Sequence, residues 1–88
     1  MKLSKNFIFR TVAGEPLLIP VGEAALQVKG LIALSESGAL LYEKLQQGYT
    51  REALIAALTE TYEVSRDEAA RDTEEFLSHM QKFGILEA

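Results

Sequence analysis

The chain has 88 residues, a net charge of −4, 48% hydrophobic and 25% charged residues, and no cysteine. That length predicts one small domain over 1–88, and the missing cysteine excludes disulfides, thiolate nucleophiles, thiolate zinc sites and iron–sulfur clusters. The single histidine, His79, excludes a multi-histidine metal site, and with no run resembling a signal peptide or a membrane span the expectation is a cytoplasmic chain with little catalytic equipment.

Residues 1–34 read as strands. Asn6–Val12 is rich in aromatic and β-branched residues, with Phe7, Phe9 and Thr11 alternating against Ile8, Arg10 and Val12. Ala13-Gly14-Glu15-Pro16 is turn chemistry, after which Leu17–Val21 resumes an extended run. Pro20 cannot donate to a ladder, so it marks an edge or a strand end. Gly22–Lys29 is compatible with a prolonged hairpin or with a loop, because its periodicity does not decide. Gly30–Leu34, an apolar run bounded by Gly30 and Ser35, is the third strand.

Residues 35–88 read as three helices. Ser35 or Ser37 caps the first, in which Leu41, Tyr42 and Leu45 share a face and Gly48 supplies a left-handed exit. Thr50 caps the second, whose stripe is Leu54, Ile55, Ala57, Leu58 and Tyr62. The third opens on a capping box, Ser65-Arg66-Asp67-Glu68, and its stripe runs Ala69, Thr73, Phe76, Leu77, Met80 and Phe83. Gly84 ends it, and Ile85-Leu86 can fold back on the last turn. Three helices in so short a chain cannot bury all their stripes among themselves, so one face of the strands should cover them. The expected fold is α+β: a small three-stranded antiparallel sheet followed by a three-helix bundle, like a winged helix-turn-helix.

Few residues carry chemistry. Glu75 precedes His79 by four and can share its helix face, but the two make an incomplete metal-ligand set. A histidine near a helix C-terminus is explained by the dipole there. Asp67-Glu68 and Glu74-Glu75 are neighbours that diverge around the helix, and the first pair also stabilises a helix start. No phosphate loop, nucleophile elbow or zinc spacing is present, so neither catalytic residues nor a cofactor is expected. DNA binding, which the architecture allows, is opposed by charge. Residues 1–34 carry a net +2 and residues 35–88 a net −6, and the last helix sets Arg66, Arg71 and Lys82 against Asp67, Glu68, Asp72, Glu74 and Glu75. Gly30–Leu34 has no internal charge or proline; at a sheet edge it could accept an extended peptide as a further strand, and in the interior it would be ordinary core.

Gly38-Ala39, Tyr42, Leu45, Gly48, Thr50, Leu58, Tyr62, Asp72, Phe76 and Gly84-Ile85-Leu86, in this order and spacing, resemble the PqqD family, the small recognition domains of ribosomal-peptide (RiPP) modification pathways. The likeness is strongest from Gly30 onward. Ser35 stands where the family commonly has Asn, and Tyr42 where many members have Trp; both substitutes keep the structural role. The resemblance implies a non-catalytic peptide chaperone. It would hold the leader of a precursor peptide as a strand added to the third strand, and present it to a modifying enzyme, often a radical SAM enzyme, in PQQ or another peptide pathway. Carried onto this chain, the peptide would pair with Gly30, Leu31, Ile32, Ala33 and Leu34 and touch Asp72, Glu75, Phe76 and His79. Basic leader residues would suit that acidic helix. Neither nucleic acid nor a membrane is an expected partner. The competing readings are a winged-helix DNA regulator and a homodimer paired through the same strand.

Overall fold

The structure, a computed structural model, describes residues 1–87. In chain order its elements are β1 (Lys2–Leu3), β2 (Phe7–Val12), β3 (Glu15–Pro20), α1 (Ala24–Gln27), β4 (Ile32–Ala33), α2 (Glu36–Gln46), α3 (Arg51–Thr61), α4 (Arg66–Lys82) and β5 (Leu86–Glu87). The fold class is as expected, a three-stranded antiparallel sheet in the order β2-β3-β4 with helices against one face. Three details differ. Part of the undecided stretch 22–29 forms the short helix α1, and the chain ends pair as β1 and β5, with Leu3 opposite Leu86. Strands of two residues have no periodicity to read. The turn is also tighter than expected, because Glu15-Pro16 already belongs to β3. Only Ala13 and Gly14 turn the chain, with φ of 53° and 81°, the left-handed pair that a two-residue hairpin needs to match strand twist.

Both prolines lie in the central strand, and the pairing pattern explains how. The Val21 N–H donates to the Asn6 carbonyl at 2.8 Å, and the Leu34 N–H donates to the Pro16 carbonyl at 2.9 Å. Since β-strand bonds alternate sides, the odd positions of β3 bond to β2 and the even positions, 16, 18 and 20, face β4. Pro16 and Pro20 therefore remove donors on the β4 side alone, leaving the Leu18 N–H between them. In the register that sets Leu17 against Ala33 and Leu18 against Ile32, the positions facing the two prolines are Leu34 and Gly30. These are the two ends of the expected strand Gly30–Leu34, which is why β4 extends only over Ile32–Ala33.

Phe9, Leu18 and Ile32 are cross-strand neighbours on the inner face. Leu18 is completely buried, and Phe9 lies 5.2 Å from the Tyr42 ring. The rest of the core comes from Leu41 and Leu45 of α2, Leu54, Ile55 and Leu58 of α3, Ala69, Leu77 and Met80 of α4, and Ile85 and Leu86. Burial raises the pKa of the Tyr42 phenol above its ordinary 10.0. Ser35, Thr50 and Ser65 cap the three long helices, accepting bonds from the N–H groups of Gly38, Ala53 and Glu68 at 3.0, 3.2 and 3.1 Å. Of the expected capping box at Ser65, the structure forms this half only, and the Glu68 side chain stays exposed. Tyr62 is the C-cap of α3, one residue past the helix, and it still packs against the core as its stripe does. Phe83 is 44% exposed, so the core stripe of α4 ends at Met80. Gly84, with φ of 74°, turns the chain so that the Ile85 N–H bonds the Met80 carbonyl at 2.8 Å.

Candidate functional site

A groove of about 510 Å³ runs between β4, the start of α2 and one side of α4. Its strand side is an open edge, because β4 is the end strand of the sheet. The Leu34–Pro16 bond makes the next pair, Ile32–Leu18, a doubly hydrogen-bonded one, and makes Ala33–Leu17 the non-bonded pair between them. The N–H and C=O of Ala33 consequently point away from β3, toward the groove. Ile32 spends both its backbone groups on β3. Ala33 is exposed, whereas the side chains of Ile32 and Leu34 pack on the core.

The helix side is built by α4. Asp72, Phe76, His79 and Phe83 follow one another about a turn apart, with Glu75 and Met80 alongside. From Asp72 to Phe83 this wall is about 16 Å of helix, the length of about five extended residues. Leu41 and Met80 form an apolar floor, only 2% and 3% exposed. The α2 end is closed by Ser35, Ser37 and Gly38. At Gly38 the walls meet closely: a Cβ there would lie 3.1 Å from Ser35 Oγ and 3.9 Å from Phe76 Cδ1. The tight neighbour is the capping hydroxyl of Ser35, whereas Phe76 stands at ordinary van der Waals distance.

The charges on this helix are divided. Glu74 pairs with Arg51, and Glu52 of α3 pairs with Arg66 and, at 3.5 Å, with Arg51, on the flank that α4 shares with α3. Asp72 and Glu75, on the groove side, have no ion-pair partner among the described residues. A smaller hollow of about 360 Å³ shares Ser35, Ser37 and Asp72 with the groove and is otherwise lined by Glu36, Leu58, Tyr62 and Val64. Among the described residues, no three His, Cys, Asp or Glu side chains come together as a metal site would require.

Of the nine residues expected at a site, Ile32, Ala33, Leu34, Asp72, Glu75, Phe76 and His79 line this groove. Gly30 and Leu31 do not. Gly30, with φ of 86°, turns the chain into β4, and Leu31 is 59% exposed just ahead of the strand. The remaining lining residues, Ser35, Ser37, Gly38, Leu41, Met80 and Phe83, were not expected there. Met80 and Phe83 carried a signal, since they follow Phe76 at helical spacing, but the same spacing describes a core stripe. Capping accounts for Ser35 and Ser37, and nothing in the local sequence marks Gly38 or Leu41 as groove residues.

An open strand edge set against an amphipathic helix, on a winged-helix-like α+β scaffold, is the class of architecture these elements define. The family Coenzyme PQQ synthesis protein D (PqqD) matches residues 22–86, and the chain belongs to this family. Among solved structures it is similar to TbiB1 in complex with the TbiA(β) leader peptide, with a TM-score of 0.84 and 25% identity over 100% of this chain and 96% of that one. It is also similar to lasso peptide synthetase B1 complexed with the leader peptide, with a TM-score of 0.80 and 21% identity over 96% of this chain and 93% of that one. No curated protein matches the chain. Among the described residues, no helix is long and apolar enough to cross a membrane.

Proposed function

We propose that this chain is a RiPP recognition element: it binds the leader of a ribosomally made precursor peptide by strand addition to the outer edge of β4, and does no chemistry on it. The observation that carries the reading is the outward N–H and C=O of Ala33, standing across the groove from α4. A β-strand edge gives main-chain affinity, and a side-chain groove beside it gives selectivity. Membership in the PqqD family supports the reading, as do the leader peptides bound in both similar structures. Strand addition at Ala33, with Leu31 and Gly30 on the approach, leaves Asp72, Glu75, Phe76 and His79 to meet the guest's side chains.

The same reading assigns the whole chain, 1–88, to one recognition domain working in the cytoplasm beside a peptide-modifying enzyme, a radical SAM enzyme or another. The product is PQQ or a different modified peptide. DNA fits the groove poorly, because the acidic residues on α4 outnumber the basic ones and would meet phosphates unfavourably.

The test is an NMR titration of 15N-labelled protein with synthetic leaders of the precursor peptides encoded beside it. Amide shifts concentrated at residues 30–35 and along 72–83 are the expected result. If none of these leaders moves those amides, the reading is wrong. Light scattering on the free protein separates it from a homodimer, which would occupy the same edge.

A further inference from the structure

The hydrogen-bond frame of β4 constrains what a guest strand must look like. A residue directly opposite Ala33 exchanges both backbone bonds with it, since Ala33 holds the groups that β3 leaves free. Residues directly opposed in adjacent strands send their side chains to the same face. Ala33 faces solvent, so its opposite number does too. The guest residues immediately before and after that one stand beside Ile32 and Leu34, whose side chains pack on the core. Their own side chains therefore point down, onto Leu41, Phe76 and Met80. Those three side chains are apolar, whereas Asp72, Glu75 and His79 lie along the helix wall and the hydroxyls of Ser35 and Ser37 stand at the α2 end.

We infer that the recognised segment carries two apolar side chains separated by one residue, with the intervening residue free to vary and Lys or Arg favoured just outside the triplet. This rests on the groove being the leader site, and it adds the sequence grammar of the leader. Adjacent apolar residues would leave one in water. A spacing of three would put the second on the outer face as well, because the pleat repeats every two residues. The basic flanks answer Asp72 and Glu75, the carboxylates on this side of α4 that lack a partner among the described residues.

The probes are short fluorescein-labelled synthetic peptides on a threonine background with a lysine at each end, carrying two leucines that are adjacent, one residue apart or two residues apart. Composition, charge and length are then identical, and only spacing differs. Anisotropy with the full chain should give at least about tenfold tighter binding for leucines one residue apart, since only that arrangement buries both. Equal affinities for the three spacings, with the amides at 32–35 still responding, would overturn the grammar and leave peptide binding standing. Tighter binding of either other spacing would overturn it as well. If no peptide in the series moves those amides and genuine leaders also fail to, the grammar and the site fall together.

Discussion

Proline scanning of β4 separates its inward from its outward backbone groups. Ala33→Pro removes an N–H that the free protein directs at water, so the β3–β4 ladder keeps all its bonds. The free protein should therefore melt within a few degrees of wild type, since an exposed substitution typically changes stability by about 0.5 kcal/mol or less. Binding is another matter. The guest loses one main-chain bond and keeps an unpaired carbonyl facing a pyrrolidine ring, a loss of about 2 kcal/mol or roughly thirtyfold in Kd. Ile32→Pro is the mirror case. Its N–H serves the Leu18 carbonyl, and Leu18 is completely buried. Stranding that acceptor costs about 1–3 kcal/mol, which in a domain of this size is a fall in Tm of about 4–24 °C. Circular dichroism melts and anisotropy with one leader peptide measure both effects. A folded Ala33→Pro protein that binds normally would refute strand addition at this edge. A destabilised Ala33→Pro beside a wild-type-like Ile32→Pro would show the pairing frame to be reversed.

Other perturbations follow from the same geometry. Gly38→Ala sets a methyl 3.1 Å from the capping oxygen of Ser35; the strained cap and alanine's better helix propensity, each about 1 kcal/mol, should nearly cancel in the melting curve, while the narrowed groove weakens leader binding measurably. Glu75→Lys should weaken a Lys- or Arg-bearing leader by about fivefold at low ionic strength, and a salt titration should shrink that difference toward nothing as screening shortens; a difference that persists at high salt would remove charge as its cause. Burial holds the Tyr42 phenol protonated beyond its ordinary pKa of 10.0. The unfolded chain therefore loses that proton first as pH rises, and stability present below pH 10 declines above it. Urea denaturation across this range should show a shallower alkaline decline in Tyr42→Phe than in wild type, and identical slopes would dismiss the buried phenol as the source.

Helices were the most legible part of the fold because each start is announced by a side chain that bonds its own backbone. Ser35, Thr50 and Ser65 are local devices, and a local device can be read without knowing what lies across the core. Strand extents depend on a partner and are harder. Gly30–Leu34 has the composition of a five-residue strand, yet its pairing is decided by Pro16 and Pro20, ten or more positions earlier. Phe83 shows the matching difficulty on α4. Helical spacing puts it in line with Phe76, but only the arrangement of β4 and α2 determines that this part of the stripe lines an open groove. The α2 contribution was unreadable for the same reason, since Ser35, Gly38 and Leu41 do helix-building jobs that hide their place in the wall.

The two prolines of β3 also govern alignment. A one-residue slip of β4 would turn Ile32 out of the core, as any odd slip turns a whole strand over. A two-residue slip preserves the faces, and in an ordinary sheet it would be the nearest competitor. Here it would set a ring nitrogen with no hydrogen where the doubly bonded partner of Ile32 now sits, because the positions two away from Leu18 in either direction are Pro16 and Pro20. Imino acids half-buried in the middle strand thereby act as stops on a sliding rail. The phase they impose on β4 passes to whatever strand is laid beside it, so a choice made in the covalent chain at 16 and 20 decides which side chains of a separate peptide face the helix.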